Sequence, residues 1–163
     1  MARSVKTAKK SLGQHFLNDA SVLNKIVDTA DLIETDYVLE IGPGKGALTK
    51  RLLQKSVSVT AIELDSDLVN GPLSDFADNP NFNLIEGDAR TVNLEETFSK
   101  SSQFKLVANL PYNAGTNILR KILFSNIYPE FSVVMLQKEV CLLYTSDAAD
   151  DTPCVDLGGR RII

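Results

Sequence analysis

Along this chain, short apolar runs alternate with segments whose apolar residues recur at helical spacing. From about Ala20 to Ala30, Val22, Leu23, Ile26 and Val27 share one helix face, and Asp19 is placed to cap it. A strand at Val38 to Ile41 follows, then a helix near Ala47 to Leu53 with Leu48, Leu52 and Leu53 on one side. Next come a strand from Val57 to Ile62, a helix from Asp67 to Phe76 interrupted at Gly71-Pro72, and a strand from Phe82 to Ile85. A short helical piece, Leu94 to Ser99, precedes the fourth strand, Lys105 to Ala108. A helix over Asn117 to Phe124 and a fifth strand over Phe131 to Leu136 complete the series. Apolar runs this short, flanked by helices, read as buried parallel strands. The alternation predicts an α/β fold, a doubly wound and mostly parallel sheet forming one domain. The break at Gly71-Pro72 has no explanation at this level.

The chemistry gathers where strands end. Directly after the first strand comes Gly42-Pro43-Gly44-Lys45-Gly46-Ala47, and a helix starts there. A strand, a glycine turn and a helix bring a nucleotide-like ligand against bare backbone and a helix N-terminus. The second strand runs into Glu63-Leu64-Asp65, about 20 residues past the glycines, where an acidic side chain can hold both hydroxyls of a ribose. The third ends in Gly87-Asp88-Ala89, and Asp88 is placed to receive an adenine amino group; its ordinary alternative is a helix cap. The fourth leads into Asn109-Leu110-Pro111-Tyr112. Here the Asn109 side-chain oxygen and the carbonyl of Leu110 or Pro111 can accept the two hydrogens of an adenine N6. Pro111 has no N–H to compete for that space, and Tyr112 offers a ring on which an extruded base can stack. A plain turn leaving the strand is the other reading of these residues.

Gly42, Gly44 and Ala47 also satisfy a loose dinucleotide fingerprint, so a nicotinamide oxidoreductase is an alternative. It leaves Asn109 to Tyr112 without a role, and Pro43 stiffens the turn that would cradle a pyrophosphate.

Six segments taken together carry a family resemblance. They are Lys10 to Asp19 (with Gln14-His15-Phe16-Leu17 at its centre), Glu40-Ile41-Gly42-Pro43-Gly44, Ile62-Glu63-Leu64-Asp65, Gly87-Asp88-Ala89, Asn109-Leu110-Pro111-Tyr112-Asn113 and Met135 to Val140. In order and spacing the chain resembles the S-adenosylmethionine-dependent rRNA adenine N6,N6-dimethyltransferases, the kasugamycin-sensitivity family. The resemblance implies a Rossmann-like class I S-adenosylmethionine-dependent methyltransferase fold. It implies dimethylation of N6 on two adjacent adenines near the 3′ end of small-subunit (16S) rRNA, during ribosome biogenesis. It also implies a cytoplasmic monomer, not membrane-bound, whose partner is the pre-ribosomal small subunit. Carried over residue by residue, the cofactor contacts fall on His15, Leu17, Gly42, Gly44, Glu63, Asp88 and Asn109, and the catalytic stretch on Asn109, Leu110, Pro111 and Tyr112. No metal is implied. His15 stands where many members carry Asn, and Ala114-Gly115-Thr116 replaces the more usual Ile-Ser-Thr, which would loosen the loop behind Tyr112. Two relatives in function remain as alternatives: a resistance-type methyltransferase of large-subunit rRNA, and a non-catalytic RNA-binding assembly factor.

Charge adds one feature to this picture. The chain carries a formal net charge of −4, yet Arg3, Lys6, Lys9 and Lys10 precede the first acidic residue, Asp19. Such an arm, residues 1–18 with the motif at its end, suits RNA phosphates, with an affinity that falls steeply with salt. It lacks the apolar core of a signal peptide. Residues 19–140 form the methyltransferase domain, expected to be partial, with later strands and a C-terminal helical domain missing. After Val140 the pattern changes: Cys141 to Asp150 and Val155 to Ile163 look like translated sequencing adapters, and 141–163 is expected to be read-through rather than native sequence. Both cysteines, Cys141 and Cys154, lie there, so no disulfide, thiolate or zinc chemistry is expected elsewhere. The fifth strand would then lie on an open edge, and the chain as written is expected to be poorly soluble and nearly inactive on ribosomal particles.

Overall fold

A computed structural model describes residues 16–56, 58–98, 103–111 and 114–137, and the backbone of 155–156 and 160–162. Helix α1 (Ala20–Thr29) opens the domain, and the Asp19 carboxylate caps it by accepting from the Ser21 and Val22 amides. Strand β1 (Tyr37–Ile41), α2 (Ala47–Leu52), β2 (Ser58–Glu63), α3 (Ser66–Val69), β3 (Phe82–Glu86), α4 (Leu94–Thr97), β4 (Lys105–Asn109), α5 (Gly115–Leu123) and β5 (Phe131–Gln137) follow. Strands β1 to β5 pair in parallel, in the order β3-β2-β1-β4-β5. The doubly wound sheet expected from the alternation is therefore present. Helices α1 and α2 bury Leu23, Ile26, Val27, Leu48 and Leu52 with Val38, Val59 and Val107 of the sheet. Helix α5 buries Ile118 and Ile122 with Leu39, Leu106 and Val134, and Phe98 stacks on Phe104 at 4.3 Å between ring centres. At the base of the sheet, the Lys105 amine bonds the Ala30 and Asp31 carbonyls and pairs with Asp36 at 2.9 Å, which ties the end of α1 to β4.

The break at Gly71-Pro72 now has a physical cause. The segment from Asp67 to Phe76 is not one interrupted helix; it is the short α3 followed by a 3-10 turn over Pro72–Phe76. A Cβ on Gly71 would come within 2.6 Å of the Asp67 carbonyl, so only glycine lets the chain fold back on α3. Pro72, lacking an amide proton, starts the new turn where none is needed. The redirection buries Leu73 and lays Phe76 against Gly46. Helix α5 also starts two residues earlier than its apolar spacing indicates, at Gly115.

Two short strands continue the sheet beyond β5: β6 (Val155–Asp156) and β7 (Arg160–Ile162), paired antiparallel with each other. Strand β7 pairs with Met135, Leu136 and Gln137. The open edge expected at β5 is thus covered at its carboxyl end, because a free edge offers unpaired amides and carbonyls to any extended segment that reaches it.

Candidate methyl-transfer site

In an open α/β sheet, ligands lie beyond the carboxyl ends of the strands, where the strand order reverses. Here that point falls between β1 and β4, which pair with each other while their successors run outwards on opposite sides. The glycine turn after β1 and Asn109 at the end of β4 meet at this point. They line a cleft together with Phe16, Leu17, Asn18, Leu23, Glu40 and Lys45. Leu17, Gly42, Gly44 and Asn109, four of the residues singled out from sequence, are therefore brought together.

The turn is held by its own neighbours. Gly42, Gly44 and Gly46 have φ of 66°, 61° and 78°, the left-handed region that side chains disfavour. At Gly46 a Cβ would also strike the Phe76 ring at 2.5 Å, so this position admits no side chain without displacement. The three glycine amides are all spent: Gly42 donates to the Ile62 carbonyl at 2.9 Å, Gly46 to the Pro43 carbonyl at 2.9 Å, and Gly44 to the Glu63 carboxylate at 3.1 Å. A pyrophosphate cradle needs such amides pointing at the ligand. None of the three glycine amides points at a ligand, which counts against the nicotinamide alternative.

Glu63 ends β2 with 5 % of its surface exposed. One oxygen accepts from the Gly44 amide and the other from the Asp65 amide, at 3.1 and 2.9 Å. Burial pushes its carboxyl above the ordinary range, opposed by these backbone bonds. The Leu64 amide also bonds this carboxylate, and of its roughly four lone-pair sites one remains to accept from a ribose hydroxyl. Leu64 beside it is half exposed and gives the same tip an apolar surface.

Asp88 presents a different picture. It follows β3, whose last residue Glu86 sits beside Glu63, and both its oxygens are gripped by the Arg90 guanidinium, the closest contact being 2.6 Å. Those bonds hold its carboxyl below the ordinary range. Neither Asp88 nor Glu63 lines the cleft itself; Glu63 reaches it through its bond to the Gly44 amide, and Asp88 has no such link. The loop that carries it is anchored by the Lys121 amine of α5, which bonds the Ala89 carbonyl at 3.2 Å and the Val92 carbonyl.

At β4 the structure separates the members of the Asn109-Leu110-Pro111 stretch. The Leu110 side chain is buried in the core, so only its backbone can face a ligand. The Pro111 carbonyl accepts from Gly115 at 2.8 Å and Ala114 at 3.3 Å, closing the first turn of α5. Of the two carbonyls considered from sequence, Pro111's is committed to the helix, which leaves Leu110's as the acceptor beside Asn109. Gly115 packs closely on Leu110 and Leu136, each 3.1 Å from where its Cβ would stand, while the loop at Tyr112 expected to loosen lies outside the described residues. Tyr112, His15 and the basic residues Arg3, Lys6, Lys9 and Lys10 lie outside the described residues.

Among the cleft residues given no role from sequence, Glu40 carries the chemistry. Glu40, within β1, is 1 % exposed and lines the cleft. It accepts from the Thr49 hydroxyl at 2.7 Å, and burial pushes its carboxyl up to about 8. Its signal was a lone acid inside the apolar run Val38-Leu39-Glu40-Ile41.

Sheet order, glycine turn and acidic tips together define a Rossmann-like class I methyltransferase domain rather than a dinucleotide-binding one. The chain belongs to the ribosomal RNA adenine dimethylase family, whose profile matches residues 5–150. It is 48% identical over 133 residues to the ribosomal RNA small subunit methyltransferase A of Dehalococcoides mccartyi, covering 82% of this chain and 46% of that protein. Among solved structures, a dimethyladenosine transferase from Plasmodium falciparum is similar with a TM-score of 0.70 at 28% identity, covering 83% of this chain and 48% of that one. The 23S rRNA methyltransferase ErmE is similar with a TM-score of 0.69 at 26% identity, covering 85% and 54%. The chain spans about half the length of the curated relatives it matches. No helix among the described residues is long and apolar enough to cross a membrane.

Proposed function

We propose that this domain uses S-adenosylmethionine to dimethylate N6 of two adjacent adenines near the 3′ end of small-subunit rRNA, as a cytoplasmic monomer acting on the pre-ribosomal particle. The observation that carries this reading is the meeting of Asn109 and the glycine turn in one cleft. The residues fit the cofactor chemically. Carboxylates suit ribose hydroxyls and a positively charged ligand, and the three glycine amides of the turn are engaged within the protein rather than turned to a phosphate. Glu63 would hold the ribose, the glycine turn and Leu17 would flank the amino-acid end, and Asp88 would receive the adenine amino group from the neighbouring tip. His15 would add a contact from the N-terminal segment. When bound, the cofactor supplies a methyl group on a cationic sulfur.

The chain's own work is done on the attacking amine. An adenine N6 lone pair is delocalised into the ring and is a poor nucleophile. Accepting its hydrogens at the Asn109 side-chain oxygen and the Leu110 carbonyl draws the nitrogen towards a tetrahedral shape and stabilises the positive charge that grows on it. Tyr112 would stack on the extruded base. Holding amine and methyl in line supplies much of the remaining gain. A second transfer requires that the corner also admit a methylated amine. Arg3, Lys6, Lys9 and Lys10 would bind RNA phosphates, with the salt dependence that implies.

The resistance-type reading is the competitor, because fold similarity to the 23S enzyme is about equal to that of the dimethyladenosine transferase. Identity with the small-subunit methyltransferases favours the first reading. Transfer of labelled methyl to isolated small- and large-subunit RNA, by this domain joined to a family-length C-terminus, distinguishes them. Label in N6,N6-dimethyladenine of the small-subunit RNA is expected, and label confined to the large-subunit RNA would replace the proposal with the competitor.

A further inference from the structure

Glu40 is a buried acid that the proposed reaction does not use. It lies one residue before the end of β1, lines the cleft, and is fixed by the hydroxyl of Thr49, itself fully buried on α2. A side chain so enclosed has no free choice of position, and what it meets in the cleft is set by the fold.

The groups facing it can be named element by element. From β2 comes Glu63, a second acid, whose charge opposes ionisation of Glu40. From α2 comes Thr49, whose hydroxyl favours it. From α1 comes only apolar Leu23, and from the end of β4 the neutral amide of Asn109. The cation lining the cleft is Lys45 in the glycine turn, and its amine sits over the Phe16 ring, 4.7 Å from its centre. Glu40 is thus the acid that lines the cleft, with the charge of Glu63 behind it and the Lys45 amine held over the Phe16 ring.

We infer that the Glu40–Thr49 pair is the proton-release point of the cleft: a ligand carrying positive charge, seated between the glycine turn and Asn109, drives the Glu40 proton into solvent. The step is a simple ionisation. The O–H bond of the Glu40 carboxyl breaks, the proton passes to the buffer, and the carboxylate left behind faces the ligand's cation, with the Thr49 hydroxyl still donating to it. Burial pushes this carboxyl up to about 8 in the free protein, so it is mostly protonated at neutrality and the exchange is visible there. A neutral ligand of the same adenosine shape would leave the proton in place. The inference rests on the proposed cofactor, and it makes Glu40 a positioning and charge-balancing residue rather than a catalytic one.

The test is calorimetric titration of the chain with S-adenosylmethionine in two buffers of different ionisation enthalpy, repeated with 5′-methylthioadenosine, which lacks the amino-acid end and the sulfonium. Near pH 7 the wild type is expected to release close to one proton per S-adenosylmethionine more than Glu40→Gln does; titration of the ligand's own amine is common to both and cancels. Relative to that variant, wild-type affinity should rise by up to about tenfold per pH unit below the Glu40 midpoint and level off above it. With 5′-methylthioadenosine the two proteins should match. Thr49→Val, which removes the donor favouring the carboxylate, should move the midpoint upward; a merely structural Thr49 would not. It also keeps the question open to disproof should Glu40→Gln fail to fold. Equal proton release by wild type and Glu40→Gln would overturn the inference and leave the cofactor reading standing. Absence of any S-adenosylmethionine binding would overturn both.

Discussion

Two strand tips that look alike in sequence differ in the structure. Glu63 and Asp88 each end a parallel strand and each was expected to hold part of one nucleoside. Glu63 ends β2, which has partners on both sides, and its carboxylate is buried and wired to the Gly44 and Asp65 amides. Asp88 follows β3, the edge strand, and stands 24% exposed against an Arg90 that is 52% exposed. The interior tip was built by backbone, the edge tip by a surface ion pair. Bonds from buried amides to a carboxylate are strong and little affected by salt, whereas an exposed ion pair contributes about 0–1 kcal/mol and is screened. The difference teaches that acidic tips on successive strands are not equivalent ligands; their weight follows the position of the strand in the sheet.

The largest expected effect comes from the third tip, β4. Asn109→Ala should lower turnover by about a hundredfold or more, the scale of losing one preorganised dipole at a centre of developing charge. RNA affinity, measured by filter binding, should be nearly kept; an equal loss in both would make Asn109 a substrate-positioning residue instead. At the interior tip, Glu63→Ala should weaken S-adenosylmethionine binding by about 10- to 100-fold, equivalent to roughly 1.5–3 kcal/mol for charge-assisted bonds.

The interior region also predicts a pH dependence. Glu40, and with it Glu63, binds its proton more tightly when folded than the ordinary value of 4.5 allows, Glu40 up to about 8. The folded chain therefore holds protons that the unfolded chain releases, and stability should fall as pH rises from about 4.5 to about 8. Denaturant midpoints across that window should decline in the wild type and flatten in Glu40→Gln. A midpoint that climbs through the window would show these acids to be ionised in the fold.

Smaller effects follow at the supporting turn and at the edge. Gly46→Ala, at φ 78° and against Phe76, should cost at least about 1–2 kcal/mol of stability from the left-handed backbone alone. Asp88→Ala should weaken cofactor binding by no more than about fivefold, on the scale of about 1 kcal/mol for an exposed charge, and added salt should narrow the gap to wild type. If Asp88→Ala proved as damaging as Glu63→Ala, the contrast between interior and edge would collapse.

Much of this was readable in the sequence. Apolar runs at strand length and leucines at helical spacing determine the order of β1 to β5 and their helices, and a glycine cluster after β1 marks the ligand turn. What escaped were facts that depend on partners distant in the chain. That Glu63 would bond Gly44 rather than stand open follows from the pairing of β1 with β2. That Arg90 would seize Asp88 was in plain sight two residues away, but spacing alone does not say whether a guanidinium turns to a nearby carboxylate or to solvent. The Pro111 carbonyl was lost to α5 because the helix begins at Gly115, earlier than its apolar spacing shows. Glu40 was passed over because a buried acid and a solvated strand end are written with the same letter. The strands β6 and β7 fall in residues excluded from the fold as adapter read-through, and sequencing the locus with long reads tests that origin: genomic DNA encoding 141–163 without adapter sequence would refute it.

The central claim is that the tips of β1, β2 and β4 form one site for S-adenosylmethionine. Titrating the wild-type chain and its Glu63→Ala variant with labelled S-adenosylmethionine at equilibrium tests it most directly. Saturable binding at one site per chain, weakened about 10- to 100-fold by the substitution while the melting transition persists, is the result this account predicts. No saturable binding by the wild type, or binding that Glu63→Ala leaves unchanged, would contradict it.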